Sequence, residues 1–246
     1  MMILMFGYEE LKTTEKEVYY ESANRLKGFY KYGPRFIDLG FCFQQHFGEI
    51  DEIITLTGEL QSIAYIHFVQ FPYTLKLIYE QIMTGYYLES QILIRHLFET
   101  LLQLKYFYKN PDKIKAHFEH NINVKKMVDN ITNKPLYDCY RQLCAYTHGF
   151  IMKDIHRTDR KNNVTYVGNV YNEDNCSVPI NYISEIMLGF INIYGAIFTK
   201  NTLDESIVAK ELREYSRDLC VILRDEHVRI NKYSKEWHES MSDLIF

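Results

Sequence analysis

Between Tyr73 and Tyr108 the chain has no proline and one glycine, Gly85, and its full 246 residues hold only five prolines and eleven glycines. Those two residues most disfavour a continuing helix, so a backbone this rarely interrupted is confined to long helices. Residues 9 to 32 carry charged and aromatic side chains at helical spacing, and Gly33-Pro34 predicts a break. A second apolar helical region runs from Phe36 to about Gln70, and Pro72 kinks or restarts it. The Tyr73 to Tyr108 stretch divides near Thr84-Gly85. Asn110-Pro111-Asp112 stops it and caps a helix over roughly 113–128.

Pro135 suits an early position in the next helix, which is read as running to Gly149. Between Asp154 and Pro179 the pattern changes: NVTYVGNVYN alternates about Gly168-Asn169 and predicts a small β-hairpin at about 160–175. A helix resumes over 181–198. Thr202-Leu203-Asp204-Glu205 then opens a last amphipathic helix through about Ile230. The expected architecture is all-α, a helical bundle with a small β-hairpin insertion. Residues 1–72 form an N-terminal helical region packed on a bundle of 73–246, most simply as one continuous domain.

Composition narrows the class further. A 47% hydrophobic and 24% charged chain reads as an ordinary soluble protein. Its net charge of −4 argues against gripping nucleic acid with the whole surface, so any RNA contact is local. Cys42, Cys139, Cys144, Cys176 and Cys220 are odd in number and form no CxxC pair. Neither a disulfide framework nor a zinc ribbon is indicated, and a reducing cytoplasm is the expected compartment. The opening MMILMF is too short for a signal or membrane-spanning segment, and no membrane association is expected. There is no P-loop, GxGxxG, GxSxG or HExxH, so nucleotide hydrolysis, dinucleotide redox, serine-hydrolase and zincin chemistry find no support. No cofactor and no metal is expected.

Leu136 to Phe150, LYDCYRQLCAYTHGF, carries the candidate chemistry. Arg141 and His148 lie seven residues apart, almost two helical turns, so both reach one small object. An arginine that clamps a phosphate and a histidine that moves a proton are the minimum parts of a metal-independent RNA-cleaving site. With ten Arg and nine His in the chain, about one pair at a spacing of five to seven arises by chance, so context must decide. Leu136, Tyr140, Leu143 and Thr147 form the neighbouring, more apolar stripe and are expected to pack inward. Downstream, KDIHRTDRK gathers Lys153, His156, Arg157, Arg160 and Lys161 into a positive loop that can guide a phosphate backbone. The alternative is that Arg141 and His148 pair with neighbouring helices and the loop is simply solvated.

Upstream, Leu88, Ile92, Arg95, Glu99, Leu102 and Tyr106 share a stripe, so Arg95 and Glu99 form an i, i+4 ion pair in an apolar surface. The pair is either structural or a support that orients Arg141 and His148. His117 and His120 are spaced i, i+3, but no third ligand stands at a supporting spacing, and a solvated surface is the better reading.

The order GYYLESQILIRHLFETLLQLKYF, NPDKIKAHF and LYDCYRQLCAYTHG, followed by a hairpin and two further helices, resembles an uncharacterised family of bacterial all-helical proteins. There an R-x-x-x-E helix precedes a helix that ends near a histidine; Arg95, Glu99, Tyr140 and His148 match. That family is similar to the HEPN superfamily of helical bundles, whose motif is an arginine followed after four to six residues by a histidine. Arg141 and His148 fit the long end. The residue after the arginine, Gln142, and the length of the chain depart from the commonest HEPN form.

The resemblance implies a dimeric, metal-independent endoribonuclease of defence or toxin–antitoxin systems. It makes Arg141 and His148 catalytic, with Arg95, Glu99 and Tyr140 in support and Lys153, Arg157, Arg160 and Lys161 on the RNA. A homodimer through an aromatic helix face, with two such helices facing each other, and a regulatory or antitoxin protein are the expected partners. The rival expectation is a non-catalytic helical sensor or adaptor.

Overall fold

The computed structural model describes residues 7–49, 58–120, 123–131, 134–148, 158–159, 164–165, 169–198 and residue 214. The described chain is all-α. It contains α1 (Tyr8–Arg25), α2 (Lys27–Glu49), α3 (Glu59–Met83), α4 (Tyr87–Lys109), α5 (Lys113–His120), α6 (Val124–Ile131), α7 (Lys134–His148) and α8 (Glu173–Phe198). Between α7 and α8, β1 (Thr158–Asp159) and β2 (Val164–Thr165) pair antiparallel, Thr158 opposite Thr165. The turn expected at Gly168-Asn169 is not where this pairing lies. Asn169 is buried, and the chain from 169 to 172 is irregular before it enters α8.

Helix α2 runs straight through Gly33-Pro34, where the sequence predicts an end; the break falls instead at Leu26, which is fully buried. Proline removes one helical N–H and leaves the carbonyl four residues back without its donor. Here that carbonyl, on Tyr30, accepts the Tyr79 hydroxyl at 3.4 Å. Gly33 makes the approach possible, since a Cβ there would lie 2.7 Å from the Tyr79 ring. Pro72 is accommodated within α3 in a related way. On the turn that its ring crowds, the Val69 carbonyl accepts Gln44 Nε2 at 2.6 Å, and a Cβ on Gly40 would lie 2.7 Å from Pro72 Cβ. Helix α3 therefore crosses the 72/73 division unbroken, and residues on both sides share one core.

Between α3 and α4, Gly85 takes φ +85°. Its N–H bonds to the Ile82 carbonyl and that of Tyr86 to the Gln81 carbonyl, a Schellman end that glycine adopts without Cβ strain. Asn110 ends α4, its side chain donating to the Tyr106 carbonyl. The helix expected over 113–128 is two helices, because Asn123 accepts the Lys125 N–H and caps α6.

Helix α8 begins at Glu173 rather than near residue 181. Asn172 Oδ1 accepts the Asn175 N–H, Glu173 and Asp174 occupy the positive first turn, and Pro179 is carried inside the helix.

Helix α4 is the central element, packed against α3, α6, α7 and α8. Asn172 donates its N–H to the Tyr87 hydroxyl at the start of α4, and further along Gly189 meets Leu101, so α4 and α8 run in the same direction. The core fills the space between α2, α3 and α8 with rings: Phe43 stacks on Tyr194 at 4.1 Å, Phe71 lies 4.3 Å from Phe190, and Phe68 meets Tyr194 at 5.1 Å. Each such pair contributes about 0.5–1.5 kcal/mol beyond the area it buries. Among the described residues α8 alone is long and apolar enough to cross a membrane, and most of its apolar window is buried in this bundle.

Candidate functional site

Helix α7 lies on α4, and its inward side is set by Leu143, which is fully buried, with Tyr140 and Cys144 partly buried beside it. This is the inward stripe expected from the spacing, for the two members whose side chains are described. Beneath Tyr140 and Cys144 sits the ion pair of α4. Arg95 Nε donates to Glu99 Oε1 at 2.9 Å, and Arg95 Nη2 reaches the same oxygen at 2.8 Å. Their side chains are 19% and 23% exposed, so the pair is largely withdrawn from water.

The electrostatics join these four side chains into one group. Burial by itself lowers the Arg95 pKa, yet the Glu99 hydrogen bond and charge outweigh it and hold the guanidinium above its ordinary value, with smaller contributions from Cys144 and Tyr140. The Tyr140 hydroxyl is pushed well above the ordinary tyrosine range, first by burial, then by its hydrogen bond and proximity to Cys144 and by the Glu99 charge, against a smaller opposing effect of Arg95. Tyr140 is therefore a neutral hydrogen-bonding group at physiological pH. Arg95, Glu99 and Tyr140, predicted as supporting residues, are thus brought together at the α4–α7 contact.

Arg141 points away from this group and is exposed; among the described residues it makes no ion pair. Its other neighbour, Gln142, accepts a hydrogen bond from the Tyr182 hydroxyl of α8 at 2.9 Å, and Tyr182 is buried. The two residues flanking Arg141 are consequently held by two different helices, Tyr140 at α4 and Gln142 by α8. The spacing rules do not reveal the tie to Tyr182, forty residues downstream; the local signal is only that the apolar α8 carries two tyrosines, Tyr182 and Tyr194. An exposed guanidinium on a fixed backbone can bind a phosphate through two parallel N–H donors.

His148 is the last residue of α7, and only its backbone is described; by helical spacing position 148 shares the face of position 141. Lys153, Arg157, Arg160 and Lys161 lie outside the described residues, as does His156.

His117 is not the solvated surface residue the sequence suggests. It is half-buried, its Nε2 lies 3.1 Å from Gln103 Nε2, and its ring packs on Phe107 at 5.2 Å. The Gln103 amide N–H donates, so Nε2 of His117 accepts. Among the described residues no group of three histidine, cysteine or carboxylate side chains is arranged to hold a metal ion. His67 of α3 faces His96 of α4; burial first, then the His96 charge, lowers its pKa to about 4.

Neither a protein-family model, a curated protein nor a solved structure matches the chain, so the functional argument rests on its own residues.

Proposed function

We propose that the chain is a metal-independent RNA endonuclease of HEPN type, acting in the cytoplasm in phage defence or as a regulated toxin. The observation that carries this reading is the seat of Arg141. It is exposed, its neighbours Tyr140 and Gln142 are held by α4 and α8, and it precedes His148 by seven residues on one helix. Seven residues rise about 10 Å and return to within about 20° of the same face, a span across which both side chains reach one phosphodiester.

In this mechanism the RNA 2′-oxygen attacks the adjacent phosphorus, the bond from phosphorus to the 5′-oxygen breaks, and a 2′,3′-cyclic phosphate and a free 5′-hydroxyl result. His148 takes the proton from the 2′-hydroxyl or delivers one to the leaving oxygen. Arg141 stabilises the charge that grows on the non-bridging oxygens. Arg95, Glu99 and Tyr140 fix the seat of α7, and Lys153, Arg157, Arg160 and Lys161 hold the strand. RNA, a second copy of the chain and a regulatory or antitoxin protein are the partners.

The test is incubation of labelled RNA with the purified chain in EDTA, beside Arg141→Ala and His148→Ala whose folding is checked by circular dichroism. The expected result is cyclic-phosphate products from wild type and a loss of about 10²-fold or more in either variant. Intact RNA with all three folded proteins rejects the mechanism in favour of a second reading, a non-catalytic adaptor.

A further inference from the structure

On α3, Ile66, Tyr73 and Leu77 fall within about 40° of one another round the helix axis at about 100° per residue. Ile66 and Tyr73 are each 57% exposed and Leu77 50%. Helix α2 lies antiparallel beside them, since Gln44 meets Val69, Gly40 meets Pro72 and Gly33 meets Tyr79. It adds exposed Phe41, whose ring packs edge-on to Tyr73 at 5.7 Å, and exposed Tyr30. These five side chains present on the order of 500 Å² of mostly apolar surface, near the upper end of what a monomer ordinarily leaves open.

We propose that this α2–α3 face is where two copies of the chain pair about a two-fold axis. The area argues for it: a homodimer interface takes about 800 Å² from each subunit and is about 65% apolar, so the patch supplies the apolar part of one. Charge argues the same way. Among the described residues, the exposed ionic groups on these two helices are Lys27, Lys31 and Lys76 against Asp38, Glu59 and Glu80, which sum to no net charge. Two copies meet there without the repulsion that a net charge of −4 on each chain otherwise brings, and a polyanion finds no net positive charge on the described residues of the two helices.

The chain's own C-terminal part is a poorer occupant. Its one described residue, Glu214, lies 4.0 Å from Arg35, about 120° round α2 from Phe41. The main packing partner of α7 is α4, so this pairing leaves each Arg141 on its own chain, unlike an arrangement in which two α7 helices face each other. The inference deepens the homodimer part of the reading above and does not require RNA cleavage.

Light scattering coupled to size-exclusion chromatography on the full chain tests it. Wild type is expected at twice the 29.5 kDa chain mass, and Tyr73→Glu and Leu77→Glu each at the single-chain mass with unchanged circular dichroism. Ile92→Glu, which alters an exposed apolar residue of α4 outside the patch, keeps the wild-type mass. A monomeric wild type overturns the proposal, including one that binds a different protein through this face. So does a dimer that survives both α3 substitutions, or one that Ile92→Glu breaks. The readout is mass, so either result leaves the RNA-cleavage reading to its own test.

Discussion

Replacing Glu99 by alanine removes both contacts that Arg95 makes to the Glu99 carboxylate, at 2.9 and 2.8 Å. An exposed ion pair is worth at most about 1 kcal/mol, whereas breaking a fully buried one costs about 3–5 kcal/mol. With side chains 19% and 23% exposed, this pair lies between those limits. The expected loss is about 2 kcal/mol, or roughly 4–8 °C in melting temperature for a chain of this size. Converting both residues to apolar ones of similar length, Arg95→Met with Glu99→Leu, leaves neither charge behind and is expected to return most of that stability. Urea unfolding of wild type, Arg95→Met, Glu99→Leu and the double variant at pH 7 closes the cycle, with an expected coupling of about 1–2 kcal/mol. A Glu99→Ala protein within about 0.5 kcal/mol of wild type, or a double variant as unstable as the sum of the single ones, refutes the claim that this pair seats α7.

Two titratable groups, the buried Glu185 and the partly buried His67, give opposing pH slopes. Burial raises the Glu185 pKa from 4.5 to about 7. Its unfolded form therefore ionises first, and stability falls as pH rises from about 4.5 to 7, by on the order of 3 kcal/mol. His67, lowered from 6.5 to about 4, binds its proton more readily when unfolded, so its contribution is lost as pH falls from about 6.5 to 4. Wild type is expected to show a shallow profile between pH 4.5 and 6.5, where the slopes offset. Glu185→Gln should give stability that rises with pH across that window, and His67→Gln stability that falls; denaturation at pH 4.5, 5.5 and 6.5 checks both signs. Tyr182→Phe removes one hydrogen bond to Gln142 and should cost about 1 kcal/mol, measured by urea unfolding. An unchanged midpoint would show that the bond does not hold α7 to α8.

Much of the fold is legible where a local rule has no competitor. The end of α3 at Thr84-Gly85, the stop at Asn110 and the early helical place of Pro135 each follow from a residue whose conformational preference matches its position. Asn172-Glu173-Asp174 is also a helix-start signal in the sequence, but the strand-like alternation just before it competes with that signal. The prolines are another matter. Gly33-Pro34 reads as a terminator, and it fails as one because Tyr79, on another helix, supplies the donor for the Tyr30 carbonyl. No pattern local to α2 contains that information.

The candidate site divides along the same line. Helical spacing placed Arg141 and His148 on one face and paired Arg95 with Glu99, because both are relations within a single helix, where the 3.6-residue repeat is the whole geometry. Which helix lies over the pair depended on α7 docking on α4. That step put Tyr140 and Cys144 above Arg95 and Glu99 and left Arg141 in solvent. The anchoring of Gln142 by Tyr182, and the apolar face that α2 and α3 leave uncovered, likewise exist only once the helices have packed. The sequence by itself determined an all-α chain, the α3–α4 boundary and the residues that share each helical face, since backbone preference and periodicity are local. Tertiary structure alone decided which faces meet, which prolines are tolerated and which charges leave water, because each depends on groups far apart in the chain.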